Sequence, residues 1–127
     1  MEHRLYHGKK NWREKPFATV KDGKVYLGKK GWFEDAILSI HEDGIYDGKK
    51  KNWLEEPLAT VKDNEVFEGK KGLWEKPIAT IEEEKVFEGK KGWFEDHLAT
   101  VDPPDVMAGA AAAVLLILLK DTLPEED

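Results

Sequence analysis

The chain of 127 residues contains no cysteine. This absence excludes disulfides, thiolate metal ligands and a cysteine nucleophile. An excess of basic residues is also missing, because 20 Lys and Arg stand against 26 Asp and Glu and the net charge is −6. Nucleic-acid-binding proteins normally carry a basic face, so we expect no nucleic-acid partner.

Long apolar segments are scarce as well. The first residues, MEHRLYHGKK, have no apolar stretch behind their charges, so we expect no secretory signal and a cytoplasmic protein. The longest apolar run, Val106–Leu119, has 14 residues. A membrane-spanning helix needs about 20 apolar residues, so a membrane anchor is disfavoured.

Internal repeats dominate the rest of the chain. An aliphatic residue, an aromatic residue, any residue and then Gly-Lys-Lys occur five times, as LYHGKK, VYLGKK, IYDGKK and VFEGKK twice. The glycines are Gly8, Gly28, Gly48, Gly69 and Gly89, which are 20 or 21 residues apart. Each repeat continues through a Trp and a Glu to a second apolar segment such as PFATV or PIATI. The period predicts a repeat architecture.

Four short connections predict β-hairpins. The second apolar segment of one repeat is followed, after KDGK, HEDG, KDNE or EEEK, by the aromatic segment of the next. Asp-Gly between β-forming residues is a strong hairpin signal because Gly adopts positive φ without strain. HEDG suits a loop with Gly44 in the left-handed region, and EEEK is assigned by analogy. The segments are rich in Val, Ile, Thr and aromatic residues, so we expect ten strands.

The hairpins leave the first strand, near Leu5-Tyr6, and the last, near Leu98–Val101, without a hairpin partner. Pairing these two would complete a fifth unit and remove the exposed sheet edges. We therefore expect a mainly β protein with one C-terminal helix, in which five two-stranded repeats form a closed, barrel-like or fan-like antiparallel array. An open twisted sheet is the alternative.

The apolar run predicts the helix. Asp105 is a good N-cap after Pro103-Pro104, and the run is apolar on every side, as in a buried helix. We expect it to pack against or inside the array. Pairing across a two-residue turn puts Ala18, Val20 and Val25 on one strand face, which suits the helix, and Phe17, Thr19 and Tyr26 on the other. The chain would be a single domain, residues 1–127, with repeats over 4–101, the helix over 105–120 and an acidic tail over 121–127.

The [VI]-[YF]-x-G motif and the Ala-then-Leu tail resemble small bacterial β-repeat proteins of uncharacterised function. The resemblance implies a β-rich repeat fold and carries over no functional residue. The chain differs from choline-binding repeats in the placement of its aromatic residues. It also lacks the glycine pattern of MORN repeats.

One tryptophan per repeat suggests aromatic contacts to a carbohydrate. The candidates are Trp12, Trp32, Trp53, Trp74 and Trp93. Trp74 lies one residue before Glu75, whereas the other four lie two residues before the equivalent glutamate, and Leu73 takes the expected place. Apolar packing tolerates this exchange better than a stacking site does, so a structural role is favoured.

A lysine pair in every repeat suggests binding of an anion. The candidates are Lys9, Lys10, Lys29, Lys30, Lys49, Lys50, Lys70, Lys71, Lys90 and Lys91. A ring of such charges would attract a phosphate or an anionic polymer. The alternative is charge balance, since each loop also carries a glutamate: Glu14, Glu34, Glu55, Glu75 and Glu95. Local balance favours the structural role.

No catalytic, cofactor or metal site is predicted. His3, His7, His41 and His97 occupy unlike repeat positions and lack metal-ligand spacing. His97 replaces the proline of other repeats, which favours neutral variation. We expect a non-enzymatic structural or protein-interaction repeat protein with a second copy or another protein as partner. The first alternative is a ring that binds an anionic polymer, a phosphate or a carbohydrate. The second is a membrane-associated accessory protein, attached through the apolar segment.

Overall fold

The computed structural model describes residues 2–8, 15–27, 35–48, 56–69, 76–89 and 97–120. These residues form ten strands and a C-terminal helix. The strands are β1 (Glu2–His7), β2 (Ala18–Lys21), β3 (Lys24–Leu27), β4 (Leu38–His41), β5 (Gly44–Asp47), β6 (Ala59–Lys62), β7 (Glu65–Glu68), β8 (Ala79–Glu82), β9 (Lys85–Glu88) and β10 (Ala99–Asp102).

The strands form one closed antiparallel barrel in which each strand pairs with its neighbours in sequence. The first and last strands close it: Leu5 pairs with Val101 and Tyr6 pairs with Thr100. The predicted ring closure is therefore confirmed, and the open twisted sheet is wrong. Closure gives every strand two hydrogen-bonded neighbours, which removes the edges that promote aggregation.

Two-residue turns join the strands of the four hairpins. Asp22 and Gly23 both have positive φ, as do Asp63 and Asn64, which matches the right-handed twist of the flanking strands. EEEK also forms a hairpin, in which Glu83 has a φ of 54°. The cross-strand pair Ile81–Val86 holds its register, so the assignment by analogy is confirmed.

The turn in HEDG differs from the prediction. Gly44 is the first residue of β5, and Glu42 has the positive φ instead. The reason for glycine here is space, since a Cβ at Gly44 would lie 2.8 Å from Cε1 of Tyr46. Gly44 thus leaves room for the aromatic ring two residues further along the same strand face.

The Glu83 turn offers a stabilising substitution. A left-handed conformation costs an L-residue about 1–2 kcal/mol, and Asn tolerates it better than Glu. We expect Glu83→Asn to raise the free energy of unfolding by up to about 1 kcal/mol in urea denaturation. Glu84→Asn is the matched control, because Glu84 does not have positive φ. An equal gain from both variants would contradict this account of the turn.

The helix follows β10 after Pro103-Pro104. Its α-helical part spans Val106–Ala113, and the side chain of Asp105 accepts a hydrogen bond of 2.9 Å from the backbone N–H of Ala108. The chain continues as a π-helical segment, Val114–Leu118, with a hydrogen bond from the Leu119 N–H to the Val114 carbonyl. The predicted helix is therefore present, but its Leu-rich half has the wider π-helical winding.

The helix fills the lumen of the barrel. Ala108 and residues 110–115 are fully buried and belong to one apolar core with the inward side chains of the strands. Ala18, Val20 and Val25 are part of this core, as predicted for the face with the smaller side chains. A Cβ at Gly109 would lie 3.0 Å from Cγ1 of Ile81, so strands and helix are in close contact. Small residues allow this close packing.

The two ends of the barrel differ in their connections. At one end, called the hairpin end, the four turns have two residues each, and the helix enters the lumen there after Asp102. At the other, called the loop end, the connections are 8–17, 28–37, 48–58, 69–78 and 89–98. The helix therefore runs from the hairpin end towards the loop end.

Candidate functional site

The candidate site residues predicted from the sequence all belong to the loop-end connections, and they lie outside the described residues. The anion candidates are Lys9, Lys10, Lys29, Lys30, Lys49, Lys50, Lys70, Lys71, Lys90 and Lys91; the aromatic candidates are Trp12, Trp32, Trp53, Trp74 and Trp93. Their assignment as contacts stays a prediction. The described residues do define where these connections leave the barrel.

Glycines fix the start of these connections. Gly8, Gly69 and Gly89 have φ of 53°, 65° and 65°, in the left-handed region that favours glycine. The N–H of Gly69 donates to the Leu58 carbonyl at 2.8 Å, and that of Gly89 donates to the Ile78 carbonyl at 2.7 Å. The strand pairing thus continues to the glycine, and the chain changes direction there.

A threonine on the outer strand face donates a hydrogen bond to the carbonyl of each of these glycines. Thr60 Oγ1 donates to the Gly69 carbonyl and Thr80 Oγ1 to the Gly89 carbonyl, both at 2.8 Å. Thr100 Oγ1 donates to the Gly8 carbonyl at 2.6 Å. We call this contact the Thr–Gly bond. This bond gives the Thr of the ATV and ATI segments a role beyond its preference for β-structure.

Gly48 has a different reason to be glycine. Its φ is not positive, but an added Cβ would lie 2.7 Å from both the Ile37 carbonyl carbon and the Leu38 nitrogen. These are backbone atoms at the start of β4 and cannot move aside as a flexible side chain can. The backbone of another segment therefore approaches the motif glycine closely in this repeat.

This difference predicts unequal effects of one substitution at two equivalent positions. We expect Gly48→Asn to lower the free energy of unfolding by about 3 kcal/mol, because the backbone contact forces the strands apart. Gly69→Asn is the control: nothing lies within 4 Å of an added Cβ, and Asn tolerates the left-handed region. Urea denaturation compares the two variants, and equal losses would count against the account of Gly48.

Apolar side chains of the helix reach the loop end. Leu116, Ile117, Leu118 and Leu119 are only half-buried, whereas Val114 and Leu115 are fully buried. We call these four residues the apolar end of the helix. It lies at the end of the barrel from which all five long connections leave.

Charge divides unevenly between the two ends. The hairpin end has eleven acidic and five basic residues: Glu2, Asp22, Glu42, Asp43, Asp63, Glu65, Glu82, Glu83, Glu84, Asp102 and Asp105, with Arg4, Lys21, Lys24, Lys62 and Lys85. The whole chain has 26 acidic and 20 basic residues, so fifteen of each remain elsewhere. The net charge of −6 therefore belongs to the hairpin end, which would repel an anionic polymer.

The four histidines lie in four separate settings. The Nδ1 of His3 donates a hydrogen bond of 2.7 Å to the Pro103 carbonyl. The ring of His7 packs against that of Phe17, with centroids 4.5 Å apart and a tilt of 37° between the rings. His41 lies beside Tyr46, with 6.5 Å between ring centroids.

His97 is 3.0 Å from Oγ1 of Thr100 through its Nε2. The interpretation of His97 as neutral variation therefore misses a specific contact. The only sequence feature that points to this contact is the position of His97 in the fifth repeat, because ring closure places that repeat beside the first strand.

Neither a metal centre nor a membrane-crossing helix is found among the residues that the structure describes. No group of three or more His, Asp or Glu residues there could hold a metal ion. Within the same ranges, no helix has the length and hydropathy required to cross a membrane.

Comparison with known proteins gives one result. Residues 5–123 match the family described as "6-fold beta flower protein", which is almost the whole chain. No curated protein and no solved structure matches. The match agrees with the repeated β-structure and does not indicate a catalytic family or a specific role. Since the match extends over both the barrel strands and the helix, the chain belongs to the 6-fold beta flower protein family.

Proposed function

We propose that the protein is a non-enzymatic interaction protein that associates with a second copy of itself through the loop end. In this proposal the closed barrel is a rigid base, and the five long connections form the recognition surface. Loops on a rigid scaffold commonly carry binding residues, because they tolerate sequence variation that the scaffold does not.

The observation that carries the proposal is the asymmetry of the connections. The hairpin turns use two residues each, which is the minimum for joining antiparallel strands. The connections at the loop end use ten or eleven residues each, far more than the geometry of strand pairing requires. The residues that are not needed to join strands therefore lie in connections at one end of the barrel.

Two further features favour a protein partner over a small ligand. The helix fills the lumen, so the inward strand faces that we describe pack against the chain's own residues. The apolar end of the helix is half-buried at the loop end, and the repeats supply five tryptophans to connections there. Aromatic residues are enriched at protein interfaces.

Self-association is tested by sedimentation and light scattering over a wide concentration range. We expect the wild type to form dimers or larger assemblies, and Leu118→Asp to shift the equilibrium towards the monomer. Glu42→Lys, at the hairpin end, is the control for a change of charge on the opposite surface. A wild type that stays monomeric at every concentration would refute self-association, as would equal effects of the two variants.

An anionic polymer or phosphate is the second candidate ligand. The lysine pair occurs in all five repeats although the residue before the glycine varies through His, Leu, Asp and Glu. The negative hairpin end would direct such a ligand to the loop end. The glutamate that each of these loops also carries weighs against strong binding.

Heparin chromatography separates these candidates. Retention that persists at physiological salt, and that falls when Lys9, Lys10, Lys29 and Lys30 are changed to Gln, would support the anion site. Elution with the unbound fraction would exclude it.

Carbohydrate binding by the tryptophans stays a further alternative, weakened by the shifted position of Trp74. A membrane-associated role is weaker still because the apolar segment fills the lumen. We also propose that the protein is cytoplasmic and has no catalytic activity.

A further inference from the structure

The barrel contains one unit without a covalent turn. Four units are hairpins, whereas the fifth consists of β1 and β10, which come from opposite ends of the repeat array. The strand register in this unit is the same as in the hairpins. Tyr6 pairs with Thr100, just as Phe87 pairs with Thr80 in the β8–β9 hairpin. The ring is therefore closed at this place by non-covalent contacts alone.

The Thr–Gly bond is present in this unit as well. Thr80 bonds Gly89 within a covalent hairpin, and Thr100 bonds Gly8 across a sequence separation of 92 residues. The backbone follows the same pattern, because Gly89 N–H donates to Ile78 and Gly8 N–H donates to Leu98. The two units thus share the Thr–Gly bond and the backbone pairing, although only one of them has a covalent turn.

His97 adds a contact to the unit that lacks the turn. The equivalent residues of the other repeats are Pro16, Ala36, Pro57 and Pro77, none of which has a side-chain donor. The hydroxyl hydrogen of Thr100 is donated to Gly8, so the same oxygen accepts a hydrogen bond from the Nε2–H of His97. The ring of His97 also meets that of Phe87 edge-on, with centroids 6.1 Å apart.

We propose that β1 is a detachable closing strand and that His97 is a positioning residue that holds it in place. Its bond fixes the Thr100 hydroxyl on Gly8, the residue at which β1 ends. When β1 leaves, β2 and β10 become sheet edges and the lumen position of Leu5 is empty. The occupant that fits both edges is the β1 segment of a second copy of this chain.

The experiment uses the full-length protein and a fluorescent peptide of residues 1–8. Uptake of the peptide requires release of the chain's own β1, so uptake measures opening of the ring. We expect His97→Ala to take up the peptide about five- to tenfold faster than the wild type, as the loss of one hydrogen bond implies. A peptide carrying Leu5→Asp should not enter, because position 5 is fully buried.

Thr80→Ala is the matched control. It removes the Thr–Gly bond from a covalent hairpin, so it lowers global stability without opening the β1–β10 unit. Uptake that is as fast in Thr80→Ala as in His97→Ala would overturn the proposal, since general loosening would then explain the result. Entry of the Leu5→Asp peptide, or no entry of the unchanged peptide into His97→Ala, would also overturn it.

Hydrogen exchange gives a second measurement without a competing peptide. In His97→Ala we expect the Gly8 amide to exchange about five- to tenfold faster, while the equivalent Gly69 amide of the β6–β7 hairpin stays unchanged. Equal acceleration at both amides would mean that His97 contributes to global stability only.

Discussion

Removal of the chain from Val106 onward is expected to abolish folding. The helix contributes the fully buried Val114 and Leu115 and a series of buried alanines, and it shares one apolar core with the inward side chains of the strands. Burial of this surface is worth on the order of 10 kcal/mol. The net stability of a domain is only about 5–15 kcal/mol, so the strands alone should not form a stable barrel. Circular dichroism and urea denaturation measure the loss.

A synthetic peptide of residues 105–120 provides the control. Added to the truncated chain, it should restore the cooperative transition, because the lumen is rebuilt without a covalent link. A truncated chain that stays folded and soluble on its own would contradict the central position of the helix, and would revive the interpretation of the apolar run as an anchor.

Ala59→Asp is expected to have the second-largest effect. Ala59 is fully buried on the inward face of β6, within the core that contains the helix. A carboxylate there has to be desolvated or protonated, which costs several kcal/mol without a partner. We expect the thermal transition to fall sharply or disappear. Ala18→Asp should have a similar effect on β2, where the side chain is also fully buried.

Asn64→Asp is the matched control for Ala59→Asp. It adds the same charge at an exposed turn of the hairpin that contains Ala59. We expect a change within about 0.5 kcal/mol, as for most surface substitutions. Thermal unfolding that is unaffected by Ala59→Asp would refute the assignment of the inward face.

Much of the architecture could be predicted because local and long-range signals agree. Asp22-Gly23 fixed one hairpin, and the two-residue turn then determined that Ala18 and Val20 share a face. Ring closure followed from the count of strands without hairpin partners. The helix was predictable from Asp105 and a run that has no polar side.

Other features could not be predicted because they depend on contacts between distant residues. The role of Gly44 depends on the ring of Tyr46, and that of Gly48 on the backbone of the neighbouring strand. The bond from His97 to Thr100 matters because Thr100 faces Gly8, at the other end of the repeats. The lysine and tryptophan contacts stay predictions, because those residues lie outside the described ranges.

The number of repeats and the composition of the helix are linked. The family description names a six-fold flower, whereas this barrel has five two-stranded units. Barrel diameter grows with the number of strands. At Gly109 even one added carbon would touch Ile81 and Val86, so there is no spare width at this level of the lumen. A helix of glycine and alanine therefore fits the narrow lumen of a ten-stranded barrel.

The position of the helix has a consequence for synthesis of the chain. The segment that fills the lumen is made after all ten strands, and the ring closes by pairing of β10 with β1. A growing chain on the ribosome can form single hairpins, but it has neither a lumen filling nor a closed sheet until residue 119 has left the exit tunnel. The native barrel therefore cannot form before residue 119 is exposed, and the nascent hairpins must stay soluble with their edges unpaired until then.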